Sequence, residues 1–147
     1  MPELRYARGR IIESIQFITE EMVEFEKEYV VKTWQDYQSD KKLQKLMDRT
    51  VENILTALIE VSGTILTQEG IPVESYSDAL RRIGEIFCLS QEEQENLANL
   101  AFQRNRLAHR YLNLRWQAIS SYVNQRDLIQ RLLNLILEEE EKKRPEQ

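Results

Sequence analysis

The chain has 147 residues, of which 25 are acidic and 20 are basic, so its formal net charge is −5. This length suits one domain with a sizeable core, and the acidity argues against indiscriminate nucleic-acid binding without excluding a local basic groove. No apolar run approaches the length of a transmembrane helix, and the N-terminus lacks the apolar core of a signal peptide. We therefore expect a cytoplasmic protein with no membrane partner. The only cysteine, Cys88, is expected to be a buried structural thiol, and no spacing of ligands indicates a metal site.

Apolar residues recur three and four positions apart through most of the chain, which predicts amphipathic helices. These helices should be long, because the sequence has only four glycines and three prolines to interrupt them. A first helix is expected over residues 11–29, and a second from residue 43 to its end at Gly70. Gly63 lies inside the second helix, where we expect it to permit the close approach of a neighbouring helix.

Three further helices are expected after N-caps at Ser75, Ser90 and Asn113. Ser75 and Ser90 each precede an acidic residue by three positions, which is the spacing of a capping box. The charged residues 138–147 are expected to form a solvated, frayed tail. The sequence therefore predicts a single all-α domain over residues 1–147, an up-and-down bundle of about five helices with short connections.

Positive charge gathers around the only histidine of the chain, His109, in the stretch RNRLAHRYLNLR (residues 104–115). Four arginines lie in these twelve residues: Arg104, Arg106, Arg110 and Arg115. A bound phosphate would relieve the repulsion among these cations by accepting bidentate arginine bonds. The alternatives are a histidine without chemistry and a solvated arginine face.

These residue types suit the cleavage of RNA without a metal ion. Cleavage needs a base for the 2′-hydroxyl proton, an acid for the leaving 5′-oxygen and cationic donors for the phosphoryl oxygens. His109 fits the acid or base and Arg104 the donor, while a second histidine would require a two-fold dimer. Five residues of an ideal helix turn through about 500°, which leaves Arg104 and His109 about 140° apart. Either the helix distorts near Ala108, or the two residues meet across a dimer interface.

The same stretch contains the pattern R-N-x-x-x-H-x-Y, formed by Arg104, Asn105, His109 and Tyr111. This pattern resembles R-x-x-x-x-H-x-Y, the motif of the HepT family of HEPN-domain ribonuclease toxins. The segments DRTVENILTALIEVSGTIL (residues 48–66) and SYSDALRRIGE (residues 75–85) also resemble that family. The similarity extends over about residues 40–120.

The resemblance implies a homodimeric helical toxin whose two motifs line a cleft between protomers. It implies metal-independent endonuclease activity on RNA, with no cofactor and with Arg104 and His109 in the catalytic roles. Asn105 would support them by orienting the phosphate or the imidazole. An alternative function is a non-catalytic subunit of a nucleotidyltransferase complex that binds nucleotide or its partner.

The resemblance also implies a partner, a minimal nucleotidyltransferase antitoxin of the MntA type that transfers AMP from ATP onto Tyr111. The added phosphodiester and base would fill the groove and neutralise it. The motif does not fix Arg106, Arg110 and Arg115, which either contact RNA phosphates or are surface charge. Tyr111 and Trp116 are the only aromatic residues expected near the site, and Trp116 is expected in the core. We therefore expect recognition led by phosphate, with little base specificity.

Overall fold

The structure is a computed structural model that describes residues 2–143, with side chains from Gly9 onward, and these residues form seven α-helices and no strand. The helices are α1 (Pro2–Glu28), α2 (Trp34–Gln38), α3 (Lys41–Gln68), α4 (Tyr76–Ile86), α5 (Gln91–Arg106), α6 (Leu112–Asn124) and α7 (Arg126–Lys142). The all-α prediction is confirmed. The described residues have two more helices than the expected five. The short helix α2 forms after α1, and a break at Gln125 divides the expected last helix into α6 and α7.

Hydroxyl caps begin two of the helices where the sequence predicts them. The Ser90 hydroxyl accepts from the backbone N–H of Glu93 at 3.2 Å, and the Glu93 carboxylate accepts from the N–H of Ser90 at 2.9 Å. This is a complete capping box at the start of α5. The Ser75 hydroxyl caps α4 through the N–H of Asp78, whose carboxylate accepts instead from Glu74. The predicted N-caps of α4 and α5 are therefore confirmed, and only the second box is reciprocal.

Cys88 is exposed, so its expected burial is wrong. It follows the end of α4 with a φ of 59°, in the left-handed region. The N–H of Leu89 donates to the carbonyl of Gly84 at 2.9 Å, as in a Schellman motif. Gly70 has the same place after α3, with a φ of 71°. The cysteine thus stands where a helix end usually has glycine, and its side chain faces away from the core.

Two other expectations also need correction. A Cβ atom on Gly63 would meet no described atom within 4 Å, so no helix of the described chain approaches it closely. The charged tail begins later than residue 138, because α7 continues through Lys142 and buries Glu140. The remainder of the expected tail, residues 144–147, lies outside the described residues.

Helix α3 organises the bundle, because α1, α2, α4, α5 and α6 all pack against it. Every helix from α1 to α7 contributes buried side chains to one apolar core. Aromatic rings fill two parts of this core. Phe25 and Tyr122 meet edge to face at 5.0 Å, while Trp116 packs against Trp34 and Tyr37. The helices that carry the arginine-rich stretch, α5 and α6, are thus both positioned by α3.

A carboxylate inside the bundle joins three of these helices. Asp48 of α3 accepts a hydrogen bond from the Tyr37 hydroxyl of α2 at 2.6 Å and one from Arg115 Nη1 of α6 at 2.7 Å. Burial raises the pKa of Asp48, and the bonds from Tyr37 and Arg115 oppose that rise. Burial and the neighbouring Asp48 raise the pKa of Tyr37 well above its usual range, so the phenol remains a donor at neutral pH.

We expect Asp48→Leu to lower the free energy of unfolding by about 3 kcal/mol, because it leaves the largely buried guanidinium of Arg115 without its partner. Replacing the whole network, with Asp48→Leu, Arg115→Met and Tyr37→Phe together, should recover most of the lost free energy of unfolding, since no polar group of the network is then left without a partner. Urea unfolding followed by helical circular dichroism measures both effects.

The exposed pair of Arg81 and Glu95 provides the control, because its Nε–Oε1 distance of 2.8 Å is as short as that of the buried pair. Glu95→Ala should lower the free energy of unfolding by less than about 1 kcal/mol. A triple variant less stable than Asp48→Leu alone would show that the network contributes more than mutual charge compensation.

Candidate functional site

The arginine-rich stretch crosses a break between two helices. Helix α5 ends at Arg106, and the N–H of His109 donates to the Arg106 carbonyl at 3.0 Å in the turn that follows. Residues 107–111 are not helical, and α6 begins after Tyr111. The helix therefore does distort near Ala108. The expected N-cap at Asn113 is wrong, because α6 begins before Asn113 and has no side-chain cap.

The break holds the imidazole against Tyr111. The backbone N–H of Tyr111 donates to His109 Nδ1 at 3.3 Å, and the two ring centroids lie 4.8 Å apart. Both residues are exposed, Tyr111 by 53%. A neutral imidazole that accepts at Nδ1 carries its hydrogen on Nε2, so Nε2 is the nitrogen left for a ligand.

Arg110 adds a cation to the Tyr111 side of the loop. Its Nη2 lies 3.4 Å from the Tyr111 hydroxyl, and its guanidinium carbon lies 5.3 Å from the ring centroid. Arg110 is itself exposed. An acidic group attached to the Tyr111 oxygen would therefore lie beside the positive charge of Arg110.

Arg104 faces the bundle instead of the loop. Its Nε donates to the Thr56 hydroxyl of α3 at 2.7 Å, and its guanidinium carbon lies 5.9 Å from the Tyr76 ring centroid at the start of α4. The two terminal nitrogens, Nη1 and Nη2, make no hydrogen bond to a described residue. A bidentate donor is thus held by one atom while its other two nitrogens are left for a ligand.

A groove of about 1100 Å³ runs along α1 and α3 and reaches Arg104. Arg10 and Arg49 also line it, as do the carboxylates of Glu13, Glu52 and Glu60. The α3 side of the groove is a stripe at helical spacing: Arg49, Glu52, Asn53, Thr56, Glu60, Gly63, Thr64 and Thr67. Sequence reasoning that followed the apolar face of α3 missed this polar face, although the same 3.6-residue period reveals it.

The structure does not bring Arg104 and His109 together within one protomer. Arg104 contacts Thr56 and Tyr76, whereas His109 contacts Tyr111 and the turn. His109 does not line the groove that Arg104 reaches. The break near Ala108 therefore interrupts the helix without bringing together the pair that the sequence suggests.

The other residues of the stretch have different surroundings. Asn105 is exposed on α5. Arg106 Nη1 donates to Gln117 Oε1 at 2.6 Å, and its guanidinium carbon lies 4.7 Å from the Phe102 ring centroid. The ion pair with Asp48 already occupies Arg115. Of the three arginines that the motif does not fix, Arg110 thus has the most accessible guanidinium.

Aromatic residues are arranged differently from the expectation. Trp116 packs against the core beside Tyr37, with ring centroids 5.2 Å apart, as predicted. Tyr76, however, lies beside Arg104 and is 61% exposed. The expectation that only Tyr111 and Trp116 lie near the site is therefore wrong.

Within residues 9–143, no three His, Cys, Asp or Glu side chains are grouped so that they could hold a metal ion. Nor does any helix in this part of the chain combine the length and apolar character that crossing a bilayer requires.

Comparison with known proteins identifies the family. A family profile described as "Ribonuclease HepT-like" matches residues 11–138, from the first half of α1 into the last turns of α7. No curated protein matches the chain significantly. The profile covers the stretch around His109 and the polar face of α3, and it agrees with the all-helical fold. The chain therefore belongs to the HepT-like ribonuclease family.

Proposed function

We propose that the protein is a metal-independent endoribonuclease toxin in which Arg104 and His109 are catalytic residues and Asn105 supports them. The observation that carries this proposal is the exposed imidazole of His109, whose Nδ1 is held by the N–H of Tyr111 at 3.3 Å. Held in this way, the exposed Nε2–H can donate to a phosphate or leaving oxygen. The base role requires the contact with Tyr111 to open, so that Nδ1 can carry the hydrogen and Nε2 can accept a proton. Membership in a ribonuclease family supplies the substrate class, RNA.

The proposed reaction is an internal displacement at phosphorus. The RNA 2′-oxygen attacks the adjacent phosphorus while a histidine base removes its proton. The bond from phosphorus to the 5′-oxygen breaks, and a histidine acid protonates that oxygen. The products are a 2′,3′-cyclic phosphate and a 5′-hydroxyl. The terminal nitrogens of Arg104 would donate to the phosphoryl oxygens as their charge increases.

A homodimer accounts for both proton transfers in this scheme. One chain contains a single histidine, and in one protomer Arg104 and His109 contact different neighbours. A two-fold axis beside the α5–α6 break would supply two imidazoles to one cleft and bring each near an arginine of the other chain. Arg106 and Arg110 would lie at the edge of that cleft as contacts to RNA phosphates.

The proposed toxin is restrained by an antitoxin of the MntA type, which transfers AMP to Tyr111. The phenolic oxygen attacks the α-phosphorus of ATP, pyrophosphate leaves, and the proton passes to a base of the antitoxin. Tyr111 is suited to this because it is exposed and its hydroxyl lies beside Arg110. The attached phosphodiester would then compete with RNA phosphate for the arginines.

His109→Ala should lower the rate of RNA cleavage by about 100- to 10,000-fold, the range of general acid–base contributions. The fold should remain, because the side chain is exposed. Cleavage of a labelled oligoribonucleotide in EDTA measures the rate, and mass spectrometry of the products identifies the cyclic phosphate. Wild-type rates in the variant would refute the catalytic role, and a strict need for added magnesium would refute the metal-independent mechanism.

Subunit mixing tests the shared cleft. If both histidines of a dimer act together, an excess of about 100-fold of His109→Ala should place nearly all wild-type chains in mixed dimers. The activity per wild-type chain should then fall by roughly 50- to 100-fold, since about 1% of these chains remain in wild-type dimers. Excess Val31→Ala, a variant of an exposed residue before α2, is the control and should leave that activity unchanged. Full activity per wild-type chain in excess His109→Ala would show that each protomer works alone.

Tyr111→Phe should retain cleavage, because the ring that packs on His109 remains, yet it should escape modification by the antitoxin. Intact mass after incubation with the antitoxin and ATP measures the gain of whole AMP units. Tyr76→Phe removes another exposed phenol and should be modified like the wild type. AMP on Tyr111→Phe at the wild-type level would place the acceptor elsewhere.

A further inference from the structure

A smaller pocket opens from the groove beside Arg104, with a volume of about 240 Å³. Ile59 of α3, Val73 of the α3–α4 connection and Ala79 of α4 form its apolar walls, and the ring of Tyr76 lies at its edge. Gly63 belongs to both the pocket and the groove, and a side chain there would project into open space. Gly63 thus lies where the pocket and the groove adjoin.

Three polar side chains converge on this pocket: Thr56, Glu60 and Arg104. The other threonines of α3, namely Thr50, Thr64 and Thr67, each donate to the carbonyl four residues earlier. Thr56 instead accepts from Arg104 Nε, so its hydroxyl hydrogen is not committed to the helix. Glu60 is exposed, contributes the only carboxylate of the lining and accepts no hydrogen bond from a described residue other than through its backbone.

We propose that this pocket binds a nucleobase of the RNA, next to the phosphate that Arg104 holds. This inference rests on the proposed function, which it extends from the phosphate to the base. Tyr76 is the stacking surface, since its ring is 61% exposed and carries the Arg104 guanidinium 5.9 Å from its centroid. An aromatic face with a cation beside it is the arrangement that binds single-stranded nucleic acid through its bases.

The size and the chemistry of the pocket favour a single base. Its volume is below the roughly 300–1000 Å³ of sites for drug-sized ligands, while the adjoining groove has room for sugar and phosphate. A carboxylate such as that of Glu60 can only accept hydrogen bonds, so it favours base edges that carry an amino group. Adenine, cytosine and guanine have such a group, and uracil has none. Uracil can donate to the carboxylate only through N3–H, so base recognition here would favour the three bases with an amino group over uracil.

Binding of 5′-mononucleotides to the full-length protein tests the inference, with ribose 5-phosphate as the ligand that lacks a base. Tyr76→Ala should weaken the binding of AMP and of GMP by about tenfold. Stacking contributes roughly 1–3 kcal/mol per base, and 1.4 kcal/mol corresponds to a tenfold change in the dissociation constant. Ribose 5-phosphate should bind wild type and Tyr76→Ala alike. Glu60→Gln should weaken the binding of GMP, AMP and CMP more than the binding of UMP.

Phe102→Ala is the matched control, because Phe102 is another exposed aromatic residue near an arginine but lies outside the pocket. It should bind every ligand as the wild type does. The inference would be overturned if ribose 5-phosphate bound the wild type as tightly as the nucleotides do. It would also be overturned if Tyr76→Ala weakened the binding of ribose 5-phosphate and of the nucleotides equally. A dimer dissociation constant raised by Tyr76→Ala, with no effect on nucleotides, would assign the pocket to a second copy of the chain instead. Cleavage assays separate the two proposals, because RNA cleavage with no contribution from the base would refute only this one.

Discussion

The carboxylate of Asp48 is the constraint on which the geometry of the candidate site depends. A charge that leaves water must be compensated nearby, and here the compensation comes from two other helices, through Tyr37 and Arg115. Arg115 lies in the first turns of α6, so its pairing fixes where that helix begins relative to α3. The loop with His109 ends at the same place. An arginine close to the motif thus anchors the helix that follows the imidazole, while one of its own nitrogens is paired inside the bundle.

The two proposed catalytic residues are held in contrasting ways. Arg104 projects from a regular helix onto α3, where a hydroxyl fixes one nitrogen. His109 lies in an exposed turn, and of the described residues Tyr111 alone contacts its imidazole, through its backbone N–H and its ring. The arginine is therefore positioned before any ligand arrives. The histidine depends on five residues of loop, and exposed loops are the segments that open most readily in a folded protein. A second chain that covers the loop would order it and complete the site in one event.

Sequence patterns predicted those parts of the molecule that depend on a single helix. The apolar period gives the long helices, and the hydroxyl caps at Ser75 and Ser90 give two of their starts. The sequence predicts the break before α6 close to its true place, but from a cap at Asn113 that does not form. The break at Gln125 is not predicted, because it contains neither glycine nor proline. At the second break Arg126 Nε donates to the Val123 carbonyl three residues earlier, which is a local contact at the end of α6. The position of Tyr76 beside Arg104, by contrast, follows from the packing of α4 on α5, and no local sequence pattern indicates it.

The exposed cysteine after α4 gives the molecule a useful experimental property. Each chain has one thiol, so a maleimide reagent would attach one fluorophore or spin label without any engineered substitution. Tyr76 begins α4 and Cys88 follows its end, and eleven residues of helix separate them by about 16 Å. A label at Cys88 would therefore leave the Tyr76 pocket open. Two such labels in an assembled pair would measure the spacing of the protomers by energy transfer or electron spin resonance, in the natural sequence.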